Sequence, residues 1–237
     1  VEELTKGIDY LFNKNKVKKY LGTAKIISSD EIEINNNGKI ENIHAEKIII
    51  ATGSTPTILP NIDIDETHIV TSTGALDLKK VPKKLIVIGA GVIGLEMGTV
   101  WRRLGSEVEV IEFLPRILPG MDTEVADKFM KILQKQGIKF KLSHSLESVK
   151  KVDGKVMLSI KDTDTNSLKQ IDADVVLIAV GRKPNTSGLG LAELGLATDK
   201  HGFIEINNKF ETSIKNIYAI GDVIKGPMLA HKAEEDG

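Results

Sequence analysis

Apolar runs and helical apolar periodicities alternate through the middle of the chain. Short apolar runs predict strands, and apolar residues that recur at helical spacing predict helices. In chain order, these strands and helices cover residues 85–88, 92–104, 107–111, 123–136, 138–142 and 174–180. Because right-handed crossovers join successive parallel strands, this order predicts an α/β fold with a parallel, doubly wound sheet. Asp122 or Thr123 is the predicted N-cap of the second helix.

The segments on either side of this core follow other patterns. Apolar positions from Leu4 onward recur at roughly helical spacing and predict a helix over 4–19. Turns are predicted at 35–38 and over Asp153 and Gly154. Short stretches near 26–27 and 31–34 predict a meander, and an apolar stretch at 47–50 predicts a buried strand after it. Alternating stretches at 146–152 and 156–161 predict a hairpin, and two late strands are predicted at 203–206 and 218–220.

Composition and charge narrow the classes of function. The 237 residues suffice for one large or two ordinary domains, and a net charge of −1 argues against nucleic-acid or anionic-membrane partners. No apolar run approaches the roughly 20 residues that span a bilayer, and no signal-peptide pattern opens the chain. We therefore expect a cytoplasmic (bacterial) or mitochondrial matrix location. The sequence has no cysteine and its five histidines are scattered, so neither thiolate chemistry nor a metal site is expected in it.

The strongest chemical signal is a glycine-rich loop between a predicted strand and a predicted helix. Gly89, Gly91 and Gly94 form the pattern G-x-G-x-x-G. In dinucleotide-binding folds the first glycine permits a tight turn, the second lets the backbone approach a diphosphate, and the third lets the helix pack close to the strand. The helix N-terminus adds free N–H groups and a partial positive charge. The loop therefore predicts a nucleotide diphosphate site.

Two acidic residues near this loop have a predicted role. Glu112 ends the second strand, 18 residues after Gly94, close to the position of the acid that binds the adenosine ribose. A carboxylate there repels a 2′-phosphate and favours NAD over NADP, although Arg116, four residues on, is a basic residue that favours NADP. The alternative is that Glu112 is a solvated charge at a strand end. Glu96 is expected in the first helical turn, where it would stabilise the helix dipole.

Five motifs in a fixed order carry a resemblance to a known family. They are "GAGVIGLEMGTVWRRLGSEVEVIEFLPRILPGMD" from Gly89, "ATGS" at 51–54, "VGRKPNT" at 180–186, "YAIGD" at 218–222 and "GPMLAHKAEEDG" at 226–237. Together they resemble the dihydrolipoamide dehydrogenase group of the flavin-dependent pyridine nucleotide–disulfide oxidoreductases, over essentially the whole chain. The resemblance implies a Rossmann-like NAD-binding domain, with parallel sheet and hairpin or meander, inserted between segments of an FAD-binding domain. The implied boundaries are 1–72 and 188–237 for the FAD-domain segments and 73–187 for the NAD domain.

The same resemblance implies which residues contact NAD. Glu112 would accept hydrogen bonds from the ribose hydroxyls, Leu146 would lie against the adenine, and Gly181 would let the backbone approach the nicotinamide half. Glu96 would support the flavin near its N5 atom in the longer parent, beside a lysine outside this chain. The residues implied to cradle the diphosphate are Gly89, Ala90, Gly91, Val92, Ile93, Gly94 and Leu95.

A second set of residues is implied to contact FAD. Asp222 would accept a hydrogen bond from the ribityl chain, and Ala24 would approach the flavin's adenine through its backbone. The residues implied to flank the flavin or border its isoalloxazine ring are Thr52, Gly53, Ser54, Met228, Leu229, Ala230 and His231. His231 is expected to offer its backbone rather than its ring, and no residue of this chain is assigned as catalytic. The remaining histidines, His44, His68, His144 and His201, are expected at the surface.

The implied parent oxidises protein-bound dihydrolipoamide through a cysteine disulfide and FAD, with hydride transfer to NAD. Its partners would be lipoyl domains of 2-oxoacid dehydrogenase complexes, and it would be a homodimer. The resemblance implies an internal fragment without the first FAD motif, the redox cysteines and the interface domain, and the missing methionine at residue 1 agrees with that expectation. Such a fragment is expected to be inactive alone and to bind FAD weakly. The alternatives are a related flavoprotein reductase or NADH oxidase, and a non-catalytic NAD-binding module.

Overall fold

The computed structural model describes residues 2–152 and 154–237, without the side chain of Glu2. The chain forms two compact units. The middle unit is Thr55–Lys183, and the split unit combines the residues up to Ser54 with Pro184–Gly237. The first limit differs from 72/73, since a strand at Ile69–Val70 joins the sheet of the middle unit, and the second lies close to 187/188.

The helices and strands of the described residues have the following bounds. The strands are β1 (Thr23–Ile26), β2 (Glu31–Asn36), β3 (Lys39–His44), β4 (Ile48–Ile50), β5 (Ser54–Pro56), β6 (Ile69–Val70), β7 (Lys84–Ile88), β8 (Glu107–Ile111), β9 (Lys139–Lys141), β10 (His144–Val152), β11 (Lys155–Asp162), β12 (Leu168–Ala173), β13 (Val175–Ile178), β14 (Arg182–Pro184) and β15 (Ile217–Ala219). The helices are α1 (Glu2–Lys14), α2 (Ser72–Asp77), α3 (Val92–Arg103), α4 (Thr123–Lys135) and α5 (Ala230–Asp236), with a 3₁₀ turn at Gly221–Val223.

The middle unit is built on a sheet with strand order β6-β13-β7-β8-β9. The neighbouring strands pair in parallel, so the predicted α/β fold with a parallel sheet is confirmed. An antiparallel sheet, β10-β11-β12, follows β9 in the chain and contains the predicted hairpin. Asp153, over which the sequence predicts a turn, lies outside the described residues.

Successive residues of β7 pack into two different cores, because side chains alternate across a strand. Leu85 and Val87 join a core with residues of α2, α3 and α4, such as Ala75, Leu95 and Leu133. Ile86 and Ile88 join a second core whose other residues, within the described part of the chain, include Val156, Leu158 and Ile160 of β11. The helices therefore cover one face and the antiparallel sheet covers the other, so the prediction of a doubly wound sheet was wrong.

The split unit has its own core. The meander β1-β2-β3 is antiparallel, and β4 pairs in parallel with β15. Ile48, Ile50, Ile217 and Ala219 are buried beneath this pair, whereas Ile49 is exposed. The strand predicted at 47–50 is therefore buried on one face only, since alternate side chains point to opposite sides.

Several other predictions met a different outcome in the structure. The N-terminal helix ends at Lys14 rather than at residue 19, and Leu4, on its apolar stripe, is 75% exposed. No strand forms at 203–206, where Ile204 makes isolated bridges to Thr198 and Ile224. The elements that the sequence did not predict are β3, β5, β6, α2, β12, β14 and α5, and all of them except α5 are six residues or shorter. Among the described residues no helix is long and apolar enough to cross a bilayer.

Candidate functional site

The glycine-rich loop connects β7 to α3 through a turn that two of its glycines make possible. Gly89 has φ +103°, and a Cβ there would lie 2.4 Å from the Ala179 carbonyl oxygen. A Cβ on Gly94 would lie 2.1 Å from the Gly89 carbonyl oxygen. Any side chain at either position would collide with backbone, so both glycines are required by the packing of the loop itself.

Gly91 differs from the other two because a Cβ there would meet no atom of the chain within 4 Å. It is also the N-cap of α3, and no side chain caps the helix there. The first-turn N–H groups of a helix have no intrahelical acceptor. The loop therefore combines free backbone donors with open space, which is the arrangement that fits a diphosphate.

Glu112 lies just after β8 and is only 9% exposed. One carboxylate oxygen accepts a 2.6 Å hydrogen bond from the Ala90 N–H, and the other accepts a 2.9 Å bond from the Leu114 N–H. Glu112 is thus a buried, hydrogen-bonded group rather than a solvated charge. Tertiary structure brings this acid directly to the glycine loop, 22 residues away in the sequence.

The side chains of the predicted loop residues face in different directions. Ala90 is 0% and Leu95 is 2% exposed, and both belong to the core under the helices, so Leu95 cannot contact a ligand through its side chain. Val92 is 53% exposed. Glu96 is exposed and is the fifth residue of α3, so the expectation that it occupies the first turn was wrong.

The remaining predicted NAD-site residues also lie in the middle unit. Leu146, in β10, is partly buried against the second core. Gly181 has φ +122°, and its carbonyl accepts a 2.9 Å hydrogen bond from the Thr57 N–H. His144 donates its backbone N–H to the Glu112 carbonyl at 2.9 Å. Its ring lies 2.7 Å from the Leu142 carbonyl, with only 19% of the side chain exposed, so the expectation of a surface histidine was wrong.

Sequence reasoning missed the loop that follows Glu112. Leu118 has φ +47° and donates its N–H to the Ala90 carbonyl at 3.0 Å. Ala90 is therefore held through its N–H by Glu112 and through its carbonyl by Leu118. No sequence signal marks Leu118, because the left-handed region favours glycine, asparagine or aspartate.

The split unit brings together several residues predicted to contact FAD. Ser54 donates its hydroxyl to Asp222 at 2.6 Å. Thr52 donates its hydroxyl to the Asn185 carbonyl at 2.6 Å, and Asn185 returns a side-chain bond to the Thr52 carbonyl at 3.0 Å. Asn185 also donates its N–H to the Gly53 carbonyl at 2.9 Å. It is a second residue that the sequence did not single out, and it fixes the "ATGS" turn.

The C-terminal helix of the split unit is tied to the 3₁₀ turn that holds Asp222. Asp236 accepts hydrogen bonds from the Gly221 N–H at 3.0 Å and from Lys232 at 2.5 Å. Burial disfavours the charged carboxylate of Asp236, but these two donors outweigh it and hold its pKa below its usual range. These bonds tie the end of α5 to the 3₁₀ turn. At the start of α5, Met228 is half-buried and Leu229, Ala230 and His231 are exposed, and in β1 Ala24 is exposed.

Comparisons with known proteins agree with this geometry. The family model for pyridine nucleotide-disulphide oxidoreductase matches residues 1–237. The mitochondrial dihydrolipoyl dehydrogenase of Dictyostelium discoideum is 54% identical over 240 residues, which cover 100% of this chain and 49% of that protein. Leghemoglobin reductase of Glycine max is 51% identical over 238 residues, covering 100% of this chain and 46% of that protein.

A solved structure extends the comparison to three dimensions. The HOCl-induced flavoprotein disulfide reductase RclA from Escherichia coli matches with a TM-score of 0.84 and 29% identity, over 99% of this chain and 54% of that one. The chain spans about half the length of the curated relatives it matches. With a family model that covers every residue and relatives above 50% identity, the chain belongs to the pyridine nucleotide-disulphide oxidoreductase family.

Proposed function

We propose that the middle unit binds NAD and that the split unit contributes part of an FAD site, as the nucleotide-binding portion of a dihydrolipoyl dehydrogenase. The sequence identity to relatives named dihydrolipoyl dehydrogenase supports this assignment. Because these relatives are named as mitochondrial, we also propose a location in the mitochondrial matrix. In the whole protein the proposed substrate is a protein-bound dihydrolipoyl group. The proposed partners are lipoyl domains of 2-oxoacid dehydrogenase complexes and a second copy of the protein.

The observation that carries the NAD proposal is the bond between Glu112 and Ala90 beside the open position at Gly91. The diphosphate would rest on the first-turn N–H groups of Val92 and Ile93, where the helix dipole favours negative charge. Each carboxylate oxygen of Glu112 accepts one backbone N–H and keeps a lone pair for a ribose hydroxyl. Leu146 would pack against the adenine, and Gly181 would let the backbone approach the nicotinamide half.

The FAD proposal rests on Ser54 and Asp222, which share a hydrogen bond near the "ATGS" turn. Asp222 would hold the ribityl chain, and Ser54 would orient the carboxylate that does so. Thr52 and Gly53 would flank the flavin where Asn185 fixes their backbone, and the backbone of Ala24 would approach its adenine. The exposed start of α5, from Met228 to His231, would border the isoalloxazine ring through backbone N–H groups.

The chain's own residues would bind and orient the nucleotides rather than carry the redox chemistry. When bound, NAD supplies the hydride acceptor of the reaction. Glu112 and the glycine-rich loop would fix the adenosine and diphosphate, and this would restrict the positions that the nicotinamide can take. The carboxylate of Glu112 would also repel a 2′-phosphate, which accounts for the proposed preference for NAD over NADP.

Calorimetry on this chain with NAD and NADP tests the proposal. We expect Glu112→Ala to weaken NAD binding about 10- to 100-fold, the value of a hydrogen bond to a charged group. The same change should narrow the preference for NAD over NADP, because the repulsive charge is gone. Glu112→Gln, which keeps one acceptor oxygen, should fall between Glu112→Ala and the unmodified chain.

Glu107→Ala is the matched control, since it removes a carboxylate from the opposite end of β8. Glu107 pairs with Lys139 at 2.6 Å, and its side chain is 53% exposed. We expect this variant to leave the NAD affinity unchanged. Equal NAD affinity in Glu112→Ala and the unmodified chain, or no NAD binding by the unmodified chain, would overturn the proposed site.

A different acceptor is a second candidate, because leghemoglobin reductase is 51% identical to this chain. The nucleotide sites would be the same in both cases, since the difference lies in the partner that exchanges electrons with the flavin. A steady-state assay of the full-length protein with dihydrolipoamide and with leghemoglobin separates them. Faster turnover with dihydrolipoamide supports the first proposal, and faster turnover with leghemoglobin supports the second.

A further inference from the structure

We propose that Arg116 is a positioning residue for the glycine-rich loop, and that it does not bind the 2′-phosphate of NADP. Its guanidinium clamps the segment 117–123, whose Leu118 holds the carbonyl of Ala90. This inference rests on the proposed NAD site and assigns a role to the one basic residue close to Glu112 in the sequence.

The guanidinium of Arg116 spans the two ends of that segment. One terminal nitrogen donates to the Thr123 hydroxyl at 2.8 Å, and the other donates to the Met121 carbonyl at 2.8 Å. The Nε atom donates to the Ile117 carbonyl at 3.4 Å. The planar fork of an arginine fits several acceptors at once, which the point charge of a lysine cannot do. Arg116 therefore closes the segment into a fixed turn.

The turn holds a residue in an unfavourable conformation. Leu118 has φ +47°, although bulky residues rarely occupy the left-handed region, and it is only 8% exposed. Its carbonyl accepts the Met121 N–H at 2.9 Å, and its N–H donates to Ala90 at 3.0 Å. Backbone strain of this kind persists only where the surroundings over-determine it. Here the surroundings are the Arg116 fork and the burial of Ile117 and Leu118.

The consequence is that the Ala90 backbone is fixed from both sides. Glu112 holds its N–H, and Leu118 holds its carbonyl. Because Ala90 lies between Gly89 and Gly91, its orientation sets where the following N–H groups of the loop point. Arg116 would thus strengthen the binding of ligands that carry a diphosphate. It would do so by positioning Leu118 and Ala90, and not through its charge.

The test compares Arg116→Met with the unmodified chain by calorimetry against AMP, ADP-ribose, NAD and NADP. We expect the variant to weaken ADP-ribose, NAD and NADP by a common factor of about 3- to 10-fold, the size of a coupling through one contact network. AMP, which lacks the diphosphate, should keep its affinity within about 2-fold. The ratio of NAD to NADP affinity and its dependence on salt should not change.

Three other variants separate positioning from charge and from general destabilisation. Thr123→Val removes one acceptor of the Arg116 guanidinium and should reproduce part of the loss of affinity for ADP-ribose, NAD and NADP. Thr123→Ser keeps the hydroxyl and should bind these ligands as the unmodified chain does. Lys128→Met removes one positive charge from an exposed site on α4, where Lys128 pairs with Glu124, and should leave the affinities for all four ligands unchanged. Amide hydrogen exchange should show faster exchange at Leu118 and Ala90 in Arg116→Met, with the strands of the parallel sheet unaffected.

The outcomes are distinct from those that test the NAD site itself. If the unmodified chain binds NAD and Arg116→Met binds it equally well, the positioning role is wrong while the site stands. A selective loss of NADP affinity, with NAD unchanged, would show that Arg116 acts as a charge and would overturn the inference. Absence of NAD binding in the unmodified chain would overturn the proposed function instead.

Discussion

At the scale of single residues, the three glycines of one motif serve two different purposes. Gly89 and Gly94 are required by the protein's own backbone, because a Cβ at either would lie within 2.4 Å of a carbonyl oxygen. Gly91 faces open space and has an ordinary φ of −76°. No atom of the chain requires a glycine there, so the explanation we propose is the diphosphate of NAD. Under this proposal the motif separates into a folding part and a binding part.

This separation can be measured by comparing two alanine variants. We expect Gly94→Ala to lower the free energy of unfolding by about 1–3 kcal/mol, because its Cβ collides with the Gly89 carbonyl. Gly91→Ala should leave that free energy within about 0.5 kcal/mol of the unmodified chain while weakening NAD binding. Urea unfolding and calorimetry on both variants give the two numbers. A Gly91→Ala variant that binds NAD normally would contradict the ligand explanation.

At the scale of elements, the edge strand β6 depends on one carboxylate in the loop before it. Asp65 accepts hydrogen bonds from the backbone N–H groups of Thr67, His68 and Ile69, at 2.8–3.0 Å, and from Lys151 at 2.7 Å. Burial raises the pKa of Asp65, but these donors outweigh that effect and hold the pKa well below its usual value of 3.8. The carboxylate thus joins the start of β6 to β10.

The stability of this connection should depend on pH with a definite sign. The pKa of Asp65 is lower in the folded than in the unfolded chain, so its contribution is complete above the unfolded value and is lost as the pH falls toward the folded one. We expect Asp65→Asn to lower the free energy of unfolding by about 1–3 kcal/mol at pH 7. The difference in free energy of unfolding between Asp65→Asn and the unmodified chain, measured by urea unfolding, should shrink as the pH falls below about 4.

The lysine that pairs with Asp65 provides the control for this experiment. The Lys151 side chain is 50% exposed. Lys151→Met should therefore cost no more than about 1 kcal/mol, as exposed ion pairs do. If Lys151→Met cost as much as Asp65→Asn, the ion pair rather than the three N–H groups would be the main stabilising contact.

At the scale of the whole molecule, the two units have separate hydrophobic cores. Both cores of the middle unit, within the described residues, draw their buried side chains from Ile62 to Ile178. The core of the split unit draws on Ile26, Ile48 and Ile50 from one segment and on residues from Leu191 to Ile224 from the other. A unit with its own core can fold alone. The split unit, in contrast, needs both of its segments.

The middle unit can be tested for this independence. We expect a polypeptide of residues 55–183 to unfold cooperatively and to bind NAD within about 2-fold of the affinity of the whole chain, because all residues of the NAD proposal lie in it. Circular dichroism during urea unfolding and calorimetry measure the two properties. A polypeptide that is unfolded, or that is folded without affinity for NAD, would contradict the expectation.

The sequence by itself determined what depends on local chemistry. Apolar periodicity located the strands and helices of the middle unit from β7 to β11 and also β13, and the spacing of Gly89, Gly91 and Gly94 placed a tight turn before α3. These features follow from side-chain alternation, helical repeat and the backbone freedom of glycine, which are properties of a few neighbouring residues. The shortest strands, such as β6, have too few residues to show a period.

Only the tertiary structure decided which face of the sheet the helices cover and what surrounds Glu112. Helical periodicity shows that a helix has an apolar face but not which sheet face it meets, and β10-β11-β12 occupies the second face of this sheet. The hydrogen bonds that join Ala90 to Glu112 and to Leu118 link residues 22 or more positions apart. Such contacts depend on how the whole chain packs, so no local pattern in the sequence can specify them.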